Sequence, residues 1–284
     1  MTTASSLPLD GATLAGHRLI VHADDFGETV EITKGICAAI EAGAVTSTTI
    51  MANMPGSEDA LARVAGLADR ASFGVHINLC EGRPMTRGRS LTDDEGNFHR
   101  KRELFVRTLS RQVSPTELEA EITAQIARVR DAGVRISHVD GHKHLHQLPV
   151  VSAVVARVLP RFGIERVRIT RLRRLNGLGK PATLVREALA WQANRIFQRA
   201  RLRSPTRVVD LQAIMRSAGQ HPEAGTNLGP PGTIEVFCHP GTQAADVEKP
   251  GSCDRFEELN FLLSPRFREL MNSNGARTVS YWDV

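Results

Sequence analysis

The stretch HADDFG, residues 22–27, follows the apolar run LIV of residues 19–21 and precedes a helical pattern. Two adjacent carboxylates, Asp24 and Asp25, therefore stand where a strand gives way to a loop. Side chains alternate faces along a strand, but at its end the chain turns, and both acids can then reach one cleft. Adjacent like charges raise each other's pKa unless a cation intervenes, so either a metal belongs here or one acid holds a proton.

Working outward, residues 18–23 read as a first strand and 31–42 as the helix after it, closed by Gly43. Residues 45–53 form a β-branched second strand. Residues 57–68 follow as a helix with Ala60, Leu61, Val64 and Leu67 on one face. Residues 73–79 are a third strand carrying His76, and 81–102, rich in Gly, Pro and charge, are a long loop of the functional kind. A helix over 115–132 starts at Ser114, with Glu117 at the capping-box position, and stops at Gly133. A fourth strand spans 134–142, a helix 149–162 and a short fifth strand 166–169. Residues 183–199 are a basic amphipathic helix. Residues 204–230 read weakly, with a strand at 208–211. A strand leads into CHPG over 234–241, a last helix spans 256–271, and a terminal strand 278–282.

Strands and helices alternate without a linker-like break, which predicts one parallel α/β domain, either a barrel or a doubly wound sheet. The 284 residues and 41% hydrophobic content suffice for a full core. Asp24, Asp25, His76, His142 and His239 all lie at C-terminal strand ends, where both architectures place their sites. No GxGxxG or GxxxxGK phosphate loop is present. Residues 1–16 read as a flexible extension lacking a secretory signal, and no window approaches a membrane span, so a cytoplasmic enzyme is expected. Cys37, Cys80, Cys238 and Cys253 are scattered, without CxxC spacing, and read as reduced thiols.

HVDGHKHLH, residues 138–146, packs four of the chain's ten histidines and an acid into nine residues. Imidazole and carboxylate suit a divalent ion such as Zn²⁺, and a catalytic site would use three protein ligands. His138 and His142 could chelate as an H-x3-H pair, or His142 could join His76 and Asp25 from other strands.

HADDFG, GVHINL, HVDGHKHLH with Pro149, and the late CHPG occur in an order that resembles the YdjC-type carbohydrate deacetylases. The resemblance runs from about residue 17 to residue 284. It implies a single-domain distorted (β/α) barrel of the polysaccharide-deacetylase type over residues 17–284. It further implies one divalent ion, Mg²⁺ or Zn²⁺, held by Asp25, His76 and His142, with Asp24 as general base and His239 as general acid. His76 is thereby preferred over His138 as a ligand. Asp140 is expected to orient a ligand histidine, while His144 and His146 line the sugar site or pack. His22, which shares strand parity with Asp24, is read as an interior hydrogen-bonding residue. Arg168 is a candidate substrate contact, although this chain reads RITR where relatives carry an RxPRE-like segment.

The implied activity is removal of an N-acetyl group from an amino sugar in an oligosaccharide or glycolipid. A phosphoester hydrolase is the competing enzyme class, but it expects more carboxylates for two metals. The third class is binding through the basic segment 161–207, whose excess of +11 compares with +5 for the whole chain. That segment has Trp191 and Phe197 but no nucleic-acid module, so no nucleic acid is expected. Its helix predicts a lipid-linked or otherwise anionic substrate and peripheral membrane contact. A homodimer is compatible with the sequence.

Overall fold

The computed structural model describes residues 16–170, 181–217, 231–242, 254–273 and 277–284. Most of the 1–16 extension, Arg171, Cys253 and parts of the basic segment lie outside the described residues.

Six strands form one parallel sheet in the order β4-β3-β2-β1-β6-β5. They are β1 (Arg18–Phe26), β2 (Ser47–Ile50), β3 (Ser72–Ile77), β4 (Ile136–Gly141), β5 (Arg207–Asp210) and β6 (Thr233–Cys238), while β7 (Arg277–Thr278) pairs with the start of β1. Parallel strands need crossovers. These are supplied by α1 (Val30–Glu41), α2 (Ser57–Leu67), α3 (Lys101–Leu109), α4 (Pro115–Asp131), α5 (Pro149–Val158), α6 (Pro181–Arg199) and α7 (Leu211–Ser217). Two last helices, α8 (Arg255–Leu263) and α9 (Pro265–Ser273), precede β7.

The sheet curls on itself. Val139 of β4 bridges to Val167 and Arg166 bridges to Arg203, from which the chain runs directly into β5. Backbone pairing therefore continues from β4 to β5 through short irregular segments, consistent with the distorted barrel that the family resemblance implies. Leu19, Val21 and Ala23 face the helices in the main core, whereas Ile20 joins Val279 and Tyr281 in a separate interior cluster. His22 and Asp24 continue that inward row, so the barrel interior is apolar at its floor and polar above.

Local differences from the sequence reading have physical causes. The loop after β3 ends earlier than expected, because α3 begins at Lys101 despite its polar composition. Ser114 caps α4 by accepting from the Glu117 amide at 3.4 Å, but the Glu117 carboxylate does not return the bond. It accepts instead from the Ser90 amide and hydroxyl, at 2.8 and 2.6 Å, and so pins the long loop. The single late helix is two, broken at Ser264–Pro265, because proline favours a first turn and its predecessor avoids the helical region. The terminal strand is only β7, followed by a 3₁₀ turn, Tyr281–Asp283, capped by Ser280.

Candidate metal centre and its acid–base pair

The end of β1 decides the site. The β1–β2 register shifts between Ala23 and Phe26, and Asp25 takes φ 69°, the left-handed region. An L-residue there is costly, about 1–3 kcal/mol, and such residues concentrate at functional positions. The twist spoils strict alternation, so neighbouring acids both turn into the barrel mouth with different partners. Gly27, at φ +93°, completes the turn where an added Cβ would lie 3.1 Å from Ser57 Cα.

Asp25 Oδ1 accepts from His142 Nδ1 at 2.9 Å and lies 3.2 Å from His76 Nε2, while Arg255 donates to Oδ2 at 2.7 Å. All three of Asp25, His76 and His142 are buried. His76 Nδ1 donates to Asp140 Oδ1 at 2.7 Å, which leaves Nε2 directed at Asp25. Asp140 thus has the orienting contact expected of it. Burial opposes charge on His76, but Asp140 and Asp25 on its two nitrogens outweigh it and raise its pKa well above that of ordinary imidazole. Burial likewise opposes charge on Asp25, and His142, His76 and Arg255 overcome it, holding the carboxyl well below its usual range.

These groups fit a divalent ion. Two ligands about 2.0–2.2 Å from a cation, and about 90–110° apart, sit about 2.8–3.6 Å from each other. The 3.2 and 2.9 Å separations around Asp25 Oδ1 fall in that interval. Among the described residues two other clusters have suitable ligand types, His22–His138–Asp140 and Asp24–His76–Asp140. Both draw on carboxylates already engaged by the fully buried Arg168, which donates to Asp24 and sits 2.9 Å from Asp140 Oδ2. A second cation beside that guanidinium would meet its repulsion at close range.

Asp24 is bound differently. Arg168 Nη1 and Nη2 donate to its two oxygens at 2.8 and 2.7 Å, a bidentate pair that fixes orientation. Burial would raise its pKa, yet the Arg168 charge and hydrogen bonds bring it down to about 2. On the open side His239 Nε2 lies 3.8 Å from Asp24 Oδ2, with about a quarter of its side chain exposed. Its backbone N–H donates to Glu258 Oε2 at 2.6 Å, which anchors the turn after β6. Gly35 of α1 packs so closely on Gly241 that a Cβ would come within 2.6 Å of the Gly241 Cα.

The remaining histidines divide by depth. His138 does not pair with His142 as an H-x3-H chelate. Its ring stacks on Tyr281, centroids 3.4 Å apart, with Nδ1 hydrogen-bonded to Ser137. His22 is interior, hydrogen-bonded to Ser47 and Thr49. His146 Nε2 donates to the Arg168 carbonyl at 2.9 Å and so braces that segment. His144 sits half-buried at the rim, hydrogen-bonded to Thr170 and edge-on to Phe237. Lys143 and His144 are both left-handed, and this kink turns the chain from β4 into α5. Arg168 is corrected from candidate substrate contact to buried support: it is 0% exposed and wholly engaged with acids.

Sequence reasoning missed Arg255, Glu235 and Glu81. Arg255 opens α8 with no local motif around it. Glu235 has a visible signal, an acid inside a strand that is mostly apolar and buried throughout. Glu81 Oε1 lies 3.4 Å from His142 Nε2 and pairs with Lys143, and those hydrogen bonds lower its pKa to about 2.

The chain is similar to known proteins. A carbohydrate deacetylase of Mus musculus is 33% identical over 303 residues, covering 94% of each chain. A carbohydrate deacetylase of Vibrio cholerae serotype O1 is 28% identical, over 93% of this chain and 95% of that one. The crystal structure of a proposed cellobiose-phosphate cleavage protein from Enterococcus faecalis V583 superposes with a TM-score of 0.73 at 23% identity, over 95% of this chain and 99% of that one, and so shares the fold. Residues 18–273 match the model of the YdjC-like proteins, and the chain belongs to that family.

Proposed function

We propose that this protein is a metal-dependent carbohydrate deacetylase that hydrolyses the N-acetyl group of an amino sugar. One observation carries the reading: two consecutive acids in one mouth have divergent partners, Asp25 two histidines on Oδ1 with Arg255 on Oδ2, and Asp24 one arginine across both oxygens, with His239 3.8 Å from Asp24. The relatives named carbohydrate deacetylase support the same reaction class.

When bound by Asp25, His76 and His142, a divalent ion supplies Lewis acidity, polarising the acetyl carbonyl and lowering the pKa of water toward about 7. Asp24 is held ionised by Arg168 across neutral pH, so it can accept the proton of the attacking water. His239, more exposed and beside Asp24, delivers a proton to the departing nitrogen. The C–N bond breaks, leaving acetate and a free amine. Asp140 keeps His76 in the tautomer that presents Nε2.

The phosphoester alternative loses support, because among the described residues Arg168 engages the carboxylates that a second metal would need. The finer substrate reading is a lipid-linked or anionic amino sugar. It rests on α6, which exposes Leu184, Val185 and Trp191 and carries Arg195 4.8 Å over the Trp191 ring. Among the described residues no helix is long and apolar enough to cross a membrane, so contact would be peripheral. Acetate release from a panel of N-acetylated oligosaccharides and glycolipids tests the function. Turnover of one or more is expected, and phosphate release from sugar phosphates with no acetate from any acetylated sugar would reject it.

A further inference from the structure

Beneath Asp24 the barrel interior holds an acid and a phenol that the reaction above does not use. The Arg168 guanidinium that grips Asp24 has a third support, Nε donating to Glu235 Oε1 at 2.7 Å. The other oxygen of Glu235 accepts from the Tyr281 hydroxyl at 2.6 Å. Tyr281 is set from three sides. Its ring stacks on His138, its backbone N–H donates to Ser72 Oγ at 3.1 Å, and its turn is tied down by Arg18 and Arg166, which donate to the carbonyls of Asp283 and Trp282. Glu235, Arg168 and Tyr281 are each 0% exposed, so none of them reaches substrate.

A guanidinium held only by the two acids at the mouth could swing with them. Support on its Nε edge fixes its plane, and the plane fixes the Asp24 carboxylate that it grips at two points. Apolar filler could close the barrel floor with comparable stability, but it would not set that plane.

We propose that Tyr281 and Glu235 are positioning residues for the base: through Arg168 they aim the Asp24 carboxylate toward His239 and the Asp25–His76–His142 cluster. The inference rests on Asp24 acting as the base. It makes the C-terminal 3₁₀ turn, on the opposite end of the barrel from the mouth, part of the catalytic geometry.

The test is a double-mutant cycle on the full, metal-loaded chain, reading acetate release from whichever N-acetylated sugar of the panel above the wild type turns over, together with bound Zn²⁺. Tyr281→Phe removes one oxygen and is expected to lower kcat about 10- to 100-fold, with KM within about twofold and Zn²⁺ content unchanged. In an Asp24→Asn background the same change is expected to cost nothing further, since the group being aimed is gone. Glu235→Gln, placed through the same cycle, gives the answer if Tyr281→Phe does not fold. Wild-type kcat in both Tyr281→Phe and Glu235→Gln, or an equal loss with and without Asp24, overturns the positioning role. Full turnover in Asp24→Asn alone overturns the base assignment, and an inactive Asp24→Asn beside an indifferent Tyr281→Phe rejects only the positioning.

Discussion

Replacing Arg168 by Met should destabilise the protein in a way that depends on pH. The guanidinium lies within 2.9 Å of Asp24, Asp140 and Glu235, and every partner is buried. Methionine keeps much of the volume but leaves these acids facing one another. Removing one partner of a buried ion pair costs about 3–5 kcal/mol, a large part of a domain's total of about 5–15 kcal/mol. At about 2–4 °C per kcal/mol for a chain of this size, the midpoint at pH 7 should fall by about 6–20 °C. The sign of the pH effect follows from the carboxyls. In the wild type Asp24 is held down at about 2, so its contribution is present above its unfolded pKa and is lost as pH falls through about 2. In the variant burial and the facing Asp140 outweigh the remaining pull of His76 and raise the folded pKa above the unfolded one. The deficit should then be greatest at neutral pH and shrink as pH drops toward about 4. Thermal unfolding of both proteins between pH 4 and 8 reads it directly. A variant within about 1 kcal/mol of wild type at pH 7, or a deficit that grows on acidification, would refute the view that Arg168 is held by ionised Asp24 and Asp140.

Asp24→Asn should retain the metal and lose about 100- to 10,000-fold in turnover, the range of general-base catalysis; metal analysis beside acetate release checks both halves, and near-normal turnover would sink the assignment. His239→Ala should lose a similar factor, with the smallest loss on acetyl esters whose leaving group needs little protonation; an equal loss on such esters would argue against an acid role. Flotation with anionic and neutral liposomes at low and high salt examines α6. Binding to anionic vesicles that weakens with salt and with Trp191→Ala is expected, whereas no binding, together with good turnover of soluble diacetylchitobiose, would remove the membrane reading.

The candidate site positions are legible because their constraints are local. An apolar run ending in DD predicts a strand end, and the structure adds the left-handed Asp25 that turns both acids inward. His76 and His142 stand at strand ends recognisable by β-branched runs, and the family resemblance prefers His76 over His138 as a ligand. What stayed hidden depends on contacts far apart in sequence. Arg168 meets Asp24 across 144 positions and Arg255 meets Asp25 across 230, and no local pattern encodes either. The Ser114–Glu117 spacing suggested a reciprocal cap, yet Glu117 found stronger partners in Ser90. The helix α3 is not legible in the sequence because its exposed Val106 and Leu109 give no clean apolar face. Short terminal elements such as the Tyr281 turn owe their form to tertiary anchors, which propensity does not register.

Deacetylation should require one divalent ion held by Asp25, His76 and His142. Chelator-stripped protein should be titrated with Zn²⁺ or Mg²⁺ while acetate release from an N-acetylated oligosaccharide is followed. Release should be negligible without metal and rise to a plateau at one bound equivalent per chain, with His142→Ala failing to recover at the same concentrations. Undiminished acetate release from the stripped wild-type protein would rule out a metal requirement.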